Sequence, residues 1–93
     1  MNKIYELGYK IAVHVMNNWK FGASPDEFGE SISYNIHLLN ALKNGEMLST
    51  EDWGDNHPII QLHEDAVNGD SDALQLILEI NDACGCDIMA LYV

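Results

Sequence analysis

Between Asn44 and Val93 the chain carries eleven carboxylate side chains and not one lysine or arginine. They are Glu46, Glu51, Asp52, Asp55, Glu64, Asp65, Asp70, Asp72, Glu79, Asp82 and Asp87. Residues 1–43 hold all four lysines (Lys3, Lys10, Lys20 and Lys43) against four acids (Glu6, Asp26, Glu27 and Glu30), so that half is neutral. The whole formal charge of −11 therefore belongs to the C-terminal half, and the chain has no arginine. Like charges gathered in one half repel each other in a compact state and attract cationic partners over about a Debye length. Any fold must gain enough from apolar burial to overcome that repulsion.

The chain has the means to do so. At 47% hydrophobic it is too apolar for an acidic disordered tail. Its 93 residues suit one domain, 1–93, burying roughly 60–65% of its unfolded surface. That size leaves no room for a nucleotide-binding unit joined to a substrate domain. The charge argues against direct contact with nucleic acid, which needs clustered lysine and arginine. No apolar run reaches the ~18 residues of a membrane span. Residues 1–20 are interrupted by Glu6, Lys10 and His14 and are followed by no small-residue cleavage site, so they do not read as a secretory signal. Cys84 and Cys86, the only cysteines, are too few for the disulfide framework of a small secreted domain. The expected compartment is the cytoplasm.

Helix-period patterning dominates the chain. From Lys3 to Trp19 the polar residues Lys3, Glu6, Lys10, His14 and Asn17 recur at three- and four-residue steps, which predicts a helix with a narrow solvent stripe and a wide apolar face. Ser24-Pro25-Asp26-Glu27 has the form of a capping box with proline in the first turn. The helix it opens should bury Phe28, Ile32, Ile36 and Leu39, expose Ser33, His37 and Asn40, and stop at Asn44-Gly45. Leu48 to Trp53 reads as a short capped turn of helix. His57-Pro58 opens a further helix with Ile59, Ile60, Leu62, Ala66 and Val67, ended by Asn68-Gly69. Asp70 or Ser71 caps the last one, in which Leu74, Leu76, Ile77, Leu78 and Ile80 should pack inwards until Gly85. The corner from Ala66 to Ala73 resembles one corner of an α-hairpin solenoid, but it occurs once, without the recurrence a repeat architecture needs. The expected fold is all-α: a single-domain bundle of about four helices plus a short helical turn, with the tail 86–93 packed on the core. The alternative is α+β, with that tail as a strand.

Motifs for chemistry are poorly represented. Zinc needs about four Cys or His ligands, and His14, His37, His57 and His63 show no metal spacing with Cys84 and Cys86. A calcium-loop template begun at Asp70 meets Leu74 and Gln75 where an oxygen ligand and a glycine belong. His63-Glu64 lacks a second histidine four residues on, and Gly22-Ala23-Ser24-Pro25-Asp26 lacks the closing glycine of a nucleophile elbow. No catalytic residue, metal site or cofactor is expected, and an enzyme is not expected.

What remains is the charge. Helix capping and solubility account for part of it, since Asp and Glu favour helix N-termini. They do not account for fifty residues without a compensating cation. Duplex DNA carries one charge per ~1.7 Å of axis, so eleven carboxylates match roughly 19 Å of duplex. The expectation is a non-catalytic acidic binding protein that inhibits a nuclease or other DNA- or RNA-handling protein by occupying its basic nucleic-acid-binding surface. Phage-encoded anti-restriction and anti-CRISPR proteins, and immunity proteins to nuclease toxins, are of this general type. Glu51, Asp52, Asp55, Glu64, Asp65, Asp70 and Asp72, the densest acidic stretch, are the candidate partner-binding residues. The alternative is a small homo-oligomer, such as a homodimer, that joins through the apolar face of residues 4–16 and the tail.

Overall fold

The computed structural model describes residues 2–19, 24–45 and 58–85. They form four helices: α1 (Lys3–Trp19), α2 (Pro25–Lys43), α3 (Pro58–Val67) and α4 (Ser71–Cys84). There is no strand among the described residues, and the all-α class holds. The expected helical turn over 48–53 and the tail 86–93, with its alternative strand, lie outside them. No described helix is long and apolar enough to cross a membrane.

The helix ends follow from local chemistry. Ser24 is extended and its Oγ accepts a hydrogen bond from the Glu27 backbone N–H at 3.2 Å, with Pro25 opening the helix behind it. At the other end Gly45, at φ 88°, donates to the Leu42 carbonyl. The α3–α4 corner is a Schellman motif: Gly69 sits at φ 102° and donates to Ala66 O, while Asp70 N donates to Asp65 O at 3.0 Å. Asp70 then caps α4, its Oδ1 accepting from the N–H groups of Asp72 and Ala73 at 3.0 and 3.1 Å. One residue thus ends one helix and begins the next, so the corner needs no linker.

Packing is in two layers of hairpins. α1 lies mainly on α2 and α3 on α4, and α4 also touches both α1 and α2. Leu7 and Ile11 of α1, Leu38 and Leu39 of α2, Ile59 and Leu62 of α3 and Ile80 of α4 meet in one buried cluster. Fully burying one such side chain contributes about 1.5–3 kcal/mol, so this cluster outweighs any single polar contact in the chain.

Three faces differ from the periodicity reading. On α2 the most buried positions are Asn35, Leu38, Leu39 and Leu42, while Phe28, Ile32 and Ile36 are only partly buried. Gly8 marks the close approach of the two helices: a Cβ there would stand 2.8 Å from Ile36 Cγ1 and 3.3 Å from Ile32 O, so they meet where α1 has no side chain. Asn35, 1% exposed, fits the closed interface by donating to the Gly8 carbonyl at 3.2 Å. On α4, Leu74 and Leu78 point outward, 49% and 54% exposed, because a 3.6-residue period that buries Ala73, Leu76, Ile77 and Ile80 turns positions 74 and 78 to the opposite side. On α1, His14 is buried rather than part of a solvent stripe, because the α3–α4 corner covers it. Val67 ends α3 exposed.

Two outcomes test these assignments. Ser24→Ala should destabilise by about 1 kcal/mol, read as a lower denaturant midpoint at unchanged slope. Asn35→Asp should cost about 3 kcal/mol at neutral pH, since an ionised carboxylate at that position is buried against a carbonyl and lacks a cation. Burial raises such a carboxyl, so the penalty is absent below its unfolded value near ~3.9 and complete above its folded one. Unfolding curves at acid and neutral pH check the sign: an equal deficit at both would show that Asn35 is not held in a dry interface.

Candidate functional site

The acidic half meets the rest of the chain along α1. Lys3 and Lys10 converge on a single carboxylate oxygen of Glu79, at 3.3 and 3.1 Å. Lys10 also pairs with Glu6 one turn back, at 3.3 Å. One turn further along, His14 Nε2 lies 3.2 Å from Asp65 Oδ2. The residues 3, 6, 10 and 14 that read as a solvent stripe are therefore the polar seam between α1 and the α3–α4 hairpin. The seam supplies from α1 the positive charge that α3 and α4 lack.

Its titration follows from geometry. The hydrogen bond from Lys10 is the main cause holding the Glu79 carboxyl below its ordinary value; burial opposes this and Lys3 adds to it. Lys10 is held above its ordinary value, first by Glu79 and then by Glu6. The carboxyl's contribution is complete above its unfolded value of 4.5 and is lost as pH falls through its folded value. The ammonium's contribution is complete below 10.5 and is lost as pH rises through its folded value. These pairs are partly solvated and modest in energy.

The seven candidate residues separate on this framework. Glu51, Asp52 and Asp55 lie outside the described residues. Glu64 and Asp72 are exposed. Asp65 is tied to His14, and Asp70 caps α4, so these two have structural work in addition to their charge. Asp82, which the density of acids along the chain did not single out, is exposed on α4. At helical spacing Asp72, Leu74, Gln75, Leu78 and Asp82 share the exposed side of α4. An outward stripe of two leucines between carboxylates is the signal that a reading of Leu74 and Leu78 as core hides.

A cleft of about 340 Å³ runs between α1 and α4, lined in part by Tyr9, Lys10, His14, Asp72, Gln75 and Glu79. The side chain of His14, which lines this cleft, gathers with those of Asp65 and Asp70, one ligand-type atom of each lying within 4.8 Å of the others. Two helices and the corner residue Asp70 contribute to this cluster, and their chain separations of 51 and 5 residues match no metal-spacing pattern, which is why the sequence does not reveal it. Cys84 is buried, and its thiol faces the Leu39 carbonyl at 3.5 Å. Cys86 lies outside the described residues. The apolar face of α1 proposed for self-association is largely spent inside the chain: Ile4, Leu7, Ile11, Ala12 and Val15 are buried, and Tyr5 and Tyr9 remain exposed.

No protein-family model, curated protein or solved structure matches the chain.

The seam has a direct test. Glu79→Gln should lower the urea midpoint at neutral pH, and the gap to the parent should close as pH falls through the lowered folded value of Glu79 and as it rises through the raised one of Lys10. A gap that stays constant across this range would mean that Glu79 acts through packing and not through its lysines.

Proposed function

We propose that the protein is a non-catalytic binding protein whose acidic half occupies the basic surface of a nuclease or another DNA- or RNA-handling protein. The observation that carries this reading is the charge of the α3–α4 hairpin: six carboxylates and no lysine or arginine between Pro58 and Gly85. Glu79 is neutralised by α1 and Asp65 is held by His14. Glu64, Asp72 and Asp82 face solvent and have no described cation. Leu74 and Leu78 supply apolar contact area among them, in the manner of an interface whose charges steer and whose apolar centre holds. A cationic phosphate-binding surface has the complementary chemistry, and the inhibitor reading follows because the same surface cannot hold nucleic acid at the same time.

Affinity capture with the full chain identifies the partner, and stopped-flow mixing with that partner then tests the mechanism. Neutralising Glu64, Asp72 and Asp82 to Gln, Asn and Asn should slow association roughly tenfold at low salt and flatten its salt dependence. Neutralising Asp26, Glu27 and Glu30 on α2 should do far less. The parent protein should also displace nucleic acid from the partner. Equal effects of the two triple substitutions, or a ternary complex with nucleic acid still bound, would contradict the reading.

Self-association is the second reading, favoured by the exposed pair Tyr5 and Tyr9 one turn apart on α1. Sedimentation showing a dimer that Tyr5→Ser/Tyr9→Ser dissociates would establish it.

A further inference from the structure

We propose that His14, Asp65 and Asp70 form a binding site for one divalent transition-metal ion, a nitrogen-and-two-carboxylate set with its remaining coordination positions left to water. The proposal is independent of the partner-binding reading.

The argument starts from the corner. The Schellman hydrogen bonds that turn α3 into α4 pin the backbones of Asp65 and Asp70 together, so two carboxylates are held side by side. Asp70 Oδ1 is fixed by two backbone N–H groups, which set the orientation of its carboxylate. Neither carboxylate makes a lysine ion pair among the described residues; Lys3 and Lys10 are engaged at Glu6 and Glu79. Such a pair repels itself and needs a positive charge. The basic side chain brought to it is His14, only 6% exposed.

The spacing suits a metal. Nitrogen and oxygen ligands stand about 2.0–2.2 Å from a zinc-like ion, so two ligands of one ion are about 3.0–3.5 Å apart at octahedral or tetrahedral angles. His14 Nε2 and Asp65 Oδ2 are already 3.2 Å apart, and the Asp70 oxygen lies within 4.8 Å of both. A small tilt of the partly buried Asp70 carboxylate about its capped Oδ1 completes the set. An imidazole with two carboxylates and no thiolate favours zinc, manganese or iron(II) over copper(I), and the imidazole disfavours calcium and magnesium. The surrounding net charge of −11 raises the local concentration of any cation.

The supporting shell is also present. Asn18 Nδ2 lies 3.2 Å from His14 Nδ1 and donates to the His14 carbonyl at 2.9 Å, which places the imidazole proton on Nε2, pointing at Asp65. Metal at Nε2 moves that proton to Nδ1, and the exposed Asn18 amide turns to accept it through its oxygen.

Zinc chloride titrated into the full chain, followed by ¹H–¹⁵N spectra of the histidine rings, reads out the site residue by residue. Saturation at one equivalent with the His14 ring nitrogens shifted and the His37 ring unmoved is the expected result. Asp70→Ser keeps a capping oxygen and removes the ligand charge; Asp65→Asn keeps an acceptor for the ring. Each should weaken zinc at least tenfold while leaving the fold intact, and Glu64→Gln/Asp72→Asn should leave affinity unchanged. A His14 ring unaffected by excess zinc would overturn the proposal. So would binding that survives Asp70→Ser and Asp65→Asn but is lost in Cys84→Ser/Cys86→Ser.

Discussion

An acidic half-chain without a cation of its own has to be neutralised from elsewhere, and in this fold the neutralising groups come from one helix. Lys3 and Lys10 lie along one side of α1 and reach Glu79 on the hairpin opposite, and His14, one turn further on, holds Asp65 by a hydrogen bond. Each of these pairs is open to solvent and screened by it, so the pairs do not hold the protein together. Apolar burial around Leu7, Ile11, Leu39, Leu62 and Ile80 does that. What the pairs decide is orientation.

The neutralisation is partial, and this links the fold to the proposed function. Among the described carboxylates of the hairpin, the lysines of α1 reach Glu79 only, and the exposed side of α4 keeps Asp72 and Asp82 beside Leu74 and Leu78. Charge paired with a lysine of α1 serves the fold, and exposed charge without one is left for a partner. The density of acids along the chain does not distinguish the two: Asp65 and Asp70 stand in the densest stretch, yet one holds a histidine and the other caps a helix.

Helix ends were the most legible part of the sequence, because capping is local chemistry. Ser24, Asn44-Gly45, Asp70 and the glycines at 69 and 85 do what their residue types suggest. Facing was less legible, because it depends on which surfaces meet. Periodicity marks His14 as polar, but a polar position is exposed only if nothing covers it, and the α3–α4 corner does. It does not single out Asn35, which enters the core because Gly8 opens a close approach in which the amide finds a carbonyl. It counts five apolar residues from Leu74 to Ile80 as one inward set, although a helix cannot turn all of them to one side. The His14–Asp65–Asp70 cluster was invisible for the same reason: its members come from two helices and a corner and meet only in space.

The claim that α1 neutralises the hairpin through specific pairs, and not merely by adding positive charge, can be measured with two substitutions of identical net charge. Lys10→Glu breaks the Glu79 pairing, whereas Lys43→Glu changes an exposed residue at the end of α2. Unfolding midpoints at low salt should fall clearly further for Lys10→Glu. In a Glu79→Gln background that excess should shrink to the part that the Lys10–Glu6 pair leaves, as a double-mutant cycle requires of a direct interaction. Equal losses for the two reversals, unchanged by Glu79→Gln, would show that only total charge matters and that the seam along α1 does not orient the fold.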